Sequence, residues 1–157
     1  MAASRYRIDA PAIAAAALRR ATPPNSPPGL ALVLPTSPVG LRRAVQTLTD
    51  YASSELHSTP GVERCYDGNG YHAQAPNPSA EAWLWAIEAW DEKPRAIGVC
   101  VMLEHAPSTW ALTWAWMHPF ERRRGHLTKA WPYLQSRYGA FTVDQPSAAM
   151  QAFLAGR

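Results

Sequence analysis

Cysteine is scarce in this chain: two residues, Cys65 and Cys100, among 157. They lie too far apart to make a disulfide framework, which implies a reduced, cytoplasmic setting. The five histidines (His57, His72, His105, His118, His126) show no metal-ligand spacing with the cysteines or with one another, so no metal is expected. No apolar run approaches the roughly 18 residues that a membrane span needs. The alanine-rich stretch Ala10–Leu18 follows Arg5 and Arg7 but runs directly into Arg19 and Arg20, which argues against a signal peptide. No membrane partner is therefore expected. Charge is sparse too, at 17% ionisable residues and a net +3, so bulk electrostatics give no argument for nucleic acid. No internal repeat is visible.

What is present is an apolar, tryptophan-rich sequence. Hydrophobic content is 47%, enough for one well-packed domain at this length. Residues 11–21 have high helix propensity with Pro11 at the first position, and Pro23 to Pro28 break the chain into a linker. Residues 1–28 are accordingly read as an N-terminal helix and proline-rich linker, and 29–157 as the principal domain.

Within that domain Leu30–Leu34 reads as a short strand. Ser37-Pro38 reads as a cap opening a helix whose apolar face is Leu41, Val45, Leu48, Ala52 and Leu56. Turn signals fill 57–80, with Asp67-Gly-Asn-Gly70 read as a turn rather than a phosphate loop. The period then changes to two. Glu81–Glu92 places Trp83, Trp85 and Ile87 on one face, and Asp91–Pro94 reads as a hairpin turn. Ile97, Val99, Val101 and Leu103 alternate next. Trp110–Met117 follows, with Leu112, Trp114 and Trp116 on one face and Ala111, Thr113 and Ala115 on the other. A helix carries Leu127, Ala130, Trp131 and Leu134, with Pro132 bending it and Gly139 closing it. Ala140–Asp144 reads as a strand and Ser147–Leu154 as a terminal helix. Trp83, Trp85, Trp90, Trp110, Trp114 and Trp116 thus fall on adjacent strands. Cross-strand packing is their plain explanation, and an aromatic acceptor groove or base stacking the alternative.

The segment richest in chemistry is Trp114-Ala-Trp-Met-His-Pro-Phe-Glu-Arg-Arg-Arg-Gly-His-Leu-Thr-Lys-Ala130. It reads as a strand, a turn at Pro119, a basic loop and a helix start. Orphan amides and the helix dipole make such a junction an anion site. A triple-arginine run is by itself a solvated face; its place between strand and helix gives it a sharper meaning.

Arg122-x-x-Gly125 resembles the pyrophosphate loop of the GNAT superfamily of acyl-CoA N-acyltransferases, usually Gln/Arg-x-x-Gly-x-Gly/Ala. Leu127 stands where the last small residue is customary. The element order over about 29–154 is similar to that superfamily's, which implies an α/β (α+β) fold with a mixed, mostly antiparallel sheet flanked by helices. The resemblance implies acetyl-CoA as acyl donor, with its pantetheine arm along Trp116, Met117 and His118. Its pyrophosphate would lie on the amides of Arg123, Arg124, Gly125, His126, Leu127 and Thr128, with Arg122 or Arg124 adding a charged contact. Many members carry a tyrosine acid on the last helix, where this chain has Leu154. Phe141-Thr-Val-Asp-Gln-Pro-Ser147 is instead similar to the Ser-Asp-Pro-Thr-Pro end of the cohesion-establishment acetyltransferases, which act on protein lysines.

Amine acylation needs a base and a donor to the leaving thiolate. Asp144 is the first candidate base, or else a cap of the last helix. Ser147 is a candidate donor, or likewise a cap. Glu104 is a second candidate base, or an exposed hairpin-end carboxylate. His118 as a relay, equally readable as structural, and Tyr138 as an acid, more readily read as a packed aromatic, are further candidates. The expected activity is transfer of an acetyl group from acetyl-CoA to a primary amine, a protein lysine before a small molecule. The competing reading is a non-catalytic module of the same fold that binds protein or nucleic acid.

Overall fold

The computed structural model describes residues 8–57, 71–88, 93–144 and 146–156. Cys65, Trp90, the Asp67–Gly70 turn and the first half of the 91–94 hairpin turn lie outside these residues. In chain order the elements are α1 (Ala15–Ala21), β1 (Leu30–Val33), α2 (Val39–His57), β2 (Ala80–Glu88), β3 (Pro94–Ala106) and β4 (Thr109–Met117). A 3-10 turn (Pro119–Glu121), α3 (His126–Tyr138), β5 (Thr142–Val143) and α4 (Ala148–Ala155) complete the order. The sheet order is β1-β2-β3-β4-β5. All pairings are antiparallel except β4 with β5, which is parallel. The expected mixed sheet is thus the observed one.

Each face of the sheet buries its own cluster. One face packs Ala82, Leu84, Val99, Val101, Trp114 and Trp116 against Leu41, Val45, Leu48 and Ala52 of α2. The other packs Trp83, Trp85, Cys100, Met102 and Leu112 against Ala130, Trp131, Leu134 and Tyr138 of α3, with Phe153 and Leu154 of α4 alongside. The α2 stripe forms as its periodicity predicts, because residues three and four apart share a helix face. Burial pushes the Cys100 thiol up, so it stays an unreactive core group.

Several boundaries and faces differ from expectation. Pro11 does not open a helix. The segment there is extended, Ala12 bridges Arg95, and Ile13 N–H donates to the Pro94 carbonyl. The sheet offers these backbone groups partners that a lone first turn could not. Ile13 belongs to the core, and Ala17, Leu18 and Ala21 of α1 pack against it. Ser37 does not cap α2 but accepts from Leu34 N–H, closing its own turn. The strand expected at 140–144 shortens to Thr142–Val143. Gly139 does close α3, at φ +71 with its N–H on the Gln135 carbonyl.

The largest difference is in the faces of β3 and β4. The register passes from Val101↔Trp114 to Met102↔Leu112, leaving Thr113 as an extra residue. Such a bulge reverses the alternation beyond it. Leu112 therefore packs under α3, while Trp114 and Trp116 pack under α2. A second shift, between Trp85 and Ala86, leaves Ile97 unpaired and puts it opposite Val99, Val101 and Leu103. Trp83, Trp85 and Ile87 do share one face.

Tyr138 is a core residue. Its hydroxyl accepts from Trp83 Nε1 at 2.7 Å and donates to Glu81 Oε1 at 2.7 Å. Burial first, and then the Glu81 contact, push its phenol well above the usual range. It is held as a structural hydrogen-bonding group, not as an acid. Tyr138→Phe should leave the buried Trp83 N–H without an acceptor and cost about 1–3 kcal/mol. Denaturant midpoints of the two proteins measure that loss, and an unchanged midpoint would mean the indole finds another partner.

Candidate functional site

The candidate site begins where β4 and β5 part. Their pairing covers Ala111↔Thr142 and Leu112↔Val143, and Asp144 N–H donates to the Leu112 carbonyl at 2.9 Å. Continuing this parallel register sets Asp144 beside Thr113, the bulged residue. Beyond that point β4 runs on to Met117 while β5 has ended. The two strands form a notch with Asp144 at its closed end.

At the far end of β4 the chain turns through Pro119–Glu121 into the basic loop. Arg123 is left-handed at φ +64, and Gly125 is left-handed at φ +81. Gly125 is the N-cap residue of α3, its carbonyl accepts from Lys129 N–H, and no side chain caps that helix end. An N-terminus without a side-chain cap presents its amides and the positive end of its dipole to any anion. Arg123 and Arg124 are exposed around it, as is Thr128. Leu127, half-buried, packs against the α3-side core.

Other residues expected here are already engaged. Arg122 donates from Nη2 to Glu55 Oε2 at 2.6 Å and from Nε to the Met117 carbonyl at 2.9 Å. Trp116 donates from Nε1 to the same Glu55 oxygen at 2.6 Å, and Arg122 lies 5.8 Å over its ring. Burial alone would raise the Glu55 carboxyl, but Arg122 and Trp116 overcome it and hold the group below its ordinary value. His118 donates its backbone N–H to the Ile97 carbonyl. Its Nε2 lies 2.9 Å from the Ile8 carbonyl, and its Nδ1 accepts from Phe120 N–H. Only a neutral ring protonated on Nε2 satisfies both bonds. That fixes His118 as a structural residue rather than a relay. His126 pairs with Glu121 at 3.1 Å, tying the start of α3 back to the turn.

The three candidate catalytic groups each have partners of their own. Asp144 does not cap α4, because Ser147 does, accepting from Met150 N–H at 3.1 Å. The Asp144 carboxylate is about half exposed, 3.8 Å from His105 Nε2. Glu104 accepts from Ser108 N–H at 3.0 Å and so closes the β3–β4 hairpin. It also lines, with Glu81 and Trp110, a groove of about 390 Å³. A second cavity, of about 510 Å³, lies along α2 at Arg43, Asp50 and His72. Among the described residues no cluster of three metal-ligating side chains occurs, and no helix is long and apolar enough to cross a membrane.

Sequence reasoning missed Glu55, which meets Arg122 across 67 positions. A signal was there: Glu55 follows Ala52 by three, at the border of the apolar stripe of α2. It also missed Thr113, whose hydroxyl donates to the Val101 carbonyl within the sheet.

No protein-family model matches this sequence, and no curated protein matches it. Solved structures do resemble it in shape. The xEco2 acetyltransferase domain bound to a lysine–CoA conjugate superposes with TM-score 0.54 at 12% identity, covering 81% of this chain and 84% of that one. A ribosomal-protein-alanine N-acetyltransferase from Brucella melitensis biovar Abortus 2308 gives 0.48 at 11% identity, over 79% and 86% of the two chains. The fold of this chain is the GNAT fold.

The loop geometry makes a direct prediction. A Cβ at Gly125 meets nothing within 4 Å, so any cost of substitution there comes from its positive φ. Gly125→Val should lose about 1–3 kcal/mol, while Gly125→Asn, which tolerates the left-handed region, should lose less. Urea titrations compare the two; equal losses would point to crowding instead of backbone strain.

Proposed function

We propose that this chain is an N-acetyltransferase that moves an acetyl group from acetyl-CoA to a primary amine, a protein lysine in preference to a small metabolite. The observation that carries the reading is the left-handed loop running into an α3 N-terminus without a side-chain cap, next to the notch between β4 and β5. The first supplies oriented amides for a pyrophosphate, and the second supplies a strand edge for an extended arm. On this reading the arm lies along β4 beside Trp116 and pairs with residues whose backbone faces away from β3. The Met117 carbonyl and the His118 N–H already have partners, so the pairing shifts toward the bulge.

The chemistry is attack of a neutral amine nitrogen on the thioester carbonyl, loss of one proton from that nitrogen, and departure of the CoA thiolate, which takes up a proton. Asp144, at the closed end of the notch, is the group best placed to receive the amine proton. Ser147 uses its oxygen lone pair as a cap and keeps its O–H for donation toward sulfur. Glu104 is spoken for by Ser108, and serves better as a wall of the nearby groove. Glu81 in that groove is already paired with Arg137, and Glu104 beside it favours a cationic acceptor such as a lysine. The conjugate held by the xEco2 domain agrees with that preference.

Acetyl-CoA should raise the thermal midpoint, and Arg124→Ala should weaken its binding by about 1.5–3 kcal/mol if the guanidinium meets phosphate. Calorimetric titration measures this, and an unchanged Kd would leave the anion to the amides alone.

Asp144→Asn tests the chemistry. Fold and cofactor affinity should persist while turnover on lysine peptides drops roughly 10²–10⁴-fold. Wild-type turnover should rise with pH as the acceptor loses its proton. Near-full activity of the Asn variant would exclude Asp144 as the base.

A further inference from the structure

We infer that Glu55, near the end of α2, is the positioning residue of the cofactor loop, holding Arg122 as a brace on β4 and not as an anion ligand. The inference rests on the acetyl-CoA reading above and assigns a division of labour within it.

One oxygen of Glu55 receives two donors from different places: Nε1 of Trp116 on β4 and Nη2 of Arg122 in the loop, each at 2.6 Å. Arg122 then returns Nε to the Met117 carbonyl, the last residue of β4, at 2.9 Å. The guanidinium is thereby held along its Nε–Nη2 side, over the Trp116 ring. Turning that side to a phosphate would break both bonds at once, each of which the wild-type geometry already satisfies. Neutralised by Glu55, Arg122 adds little field to the anion site. Arg123, Arg124 and the amides at the start of α3 supply it instead. The brace also fixes where the chain leaves β4, so the loop is ordered before the cofactor arrives, which spares ordering entropy on binding.

The test uses the full chain and nitrogen-edited NMR. The Trp116 indole N–H and Arg122 Nε–H resonances are assigned with Trp116→Phe and Arg122→Lys. Glu55→Gln should move both resonances and weaken acetyl-CoA about 3- to 30-fold, the range expected when one preorganising contact is lost. In an Arg122→Ala background the same substitution should have no further effect on affinity, since Glu55 acts through Arg122. Acetyl-CoA added to the wild-type chain should shift the amides of residues 125–128 and leave the Trp116 and Arg122 resonances in place. Movement of those two toward their Glu55→Gln positions would overturn the brace, as would an undiminished Glu55 effect without Arg122. If acetyl-CoA shifts no resonance, the acetyl-CoA reading fails by itself. The brace is then decided without cofactor: loss of exchange protection at Arg122 Nε–H in Glu55→Ala supports it, and persistence overturns it.

Discussion

Thr113 is one residue more than β3 can pair, and the arrangement of the site depends on that surplus. Without it, strict alternation would send Trp114 and Trp116 to the same side as Leu112, beneath α3. With it, the strand changes faces midway: Trp110 and Leu112 serve the α3 core, and Trp114 and Trp116 serve the α2 core. A strand that rotates at a bulge also twists more strongly. It is at this residue that β5 leaves β4, which places Asp144 where the strands separate. The same rotation carries the Trp116 indole round to α2, within reach of Glu55.

Charge around the loop is distributed by the same geometry. Three of its ionisable side chains are tied inward: Arg122 to Glu55, His126 to Glu121, and His118 to the Ile8 carbonyl. Each tie connects the loop to a different part of the molecule, namely α2, the preceding turn and the N-terminal segment. What the loop presents outward is Arg123, Arg124 and the helix start. The proposed anion site, built this way, would rely on fixed backbone dipoles more than on flexible side chains, and would need little reorganisation to receive a ligand.

Much of this was legible in the sequence, and the parts that were not have a shared cause. The α2 stripe, the α3 helix with its glycine stop, the order of strands and the special backbone at Gly125 are local properties, and local propensity reveals them. The face reversal at Thr113 is set by how many residues β3 offers opposite, which no period in β4 can show. Ser37 and Ser147 carry the same capping chemistry, yet one turns back to Leu34 and the other caps α4; the difference lies in the path of the surrounding chain. The Asp144 cap and the Tyr138 acid were each plausible from residue type. They fail because Ser147 and the Trp83–Glu81 pair take those positions in three dimensions.

Glu55 marks the boundary between the two kinds of information. Its position beside the stripe is written in the spacing Leu41, Val45, Leu48, Ala52 and Leu56, which sets Glu55 at the border of the apolar face. The side chain is about half exposed, so spacing marks it only as a residue at the edge of the buried face, with a partner to be found across the fold. The identity of that partner is not announced, because Arg122 and Trp116 are brought to it only by a strand that has changed faces. A polar residue at the border of an apolar helical stripe is where a contact with another element of the fold can form. In this protein that element is the strand and loop on which the proposed chemistry rests.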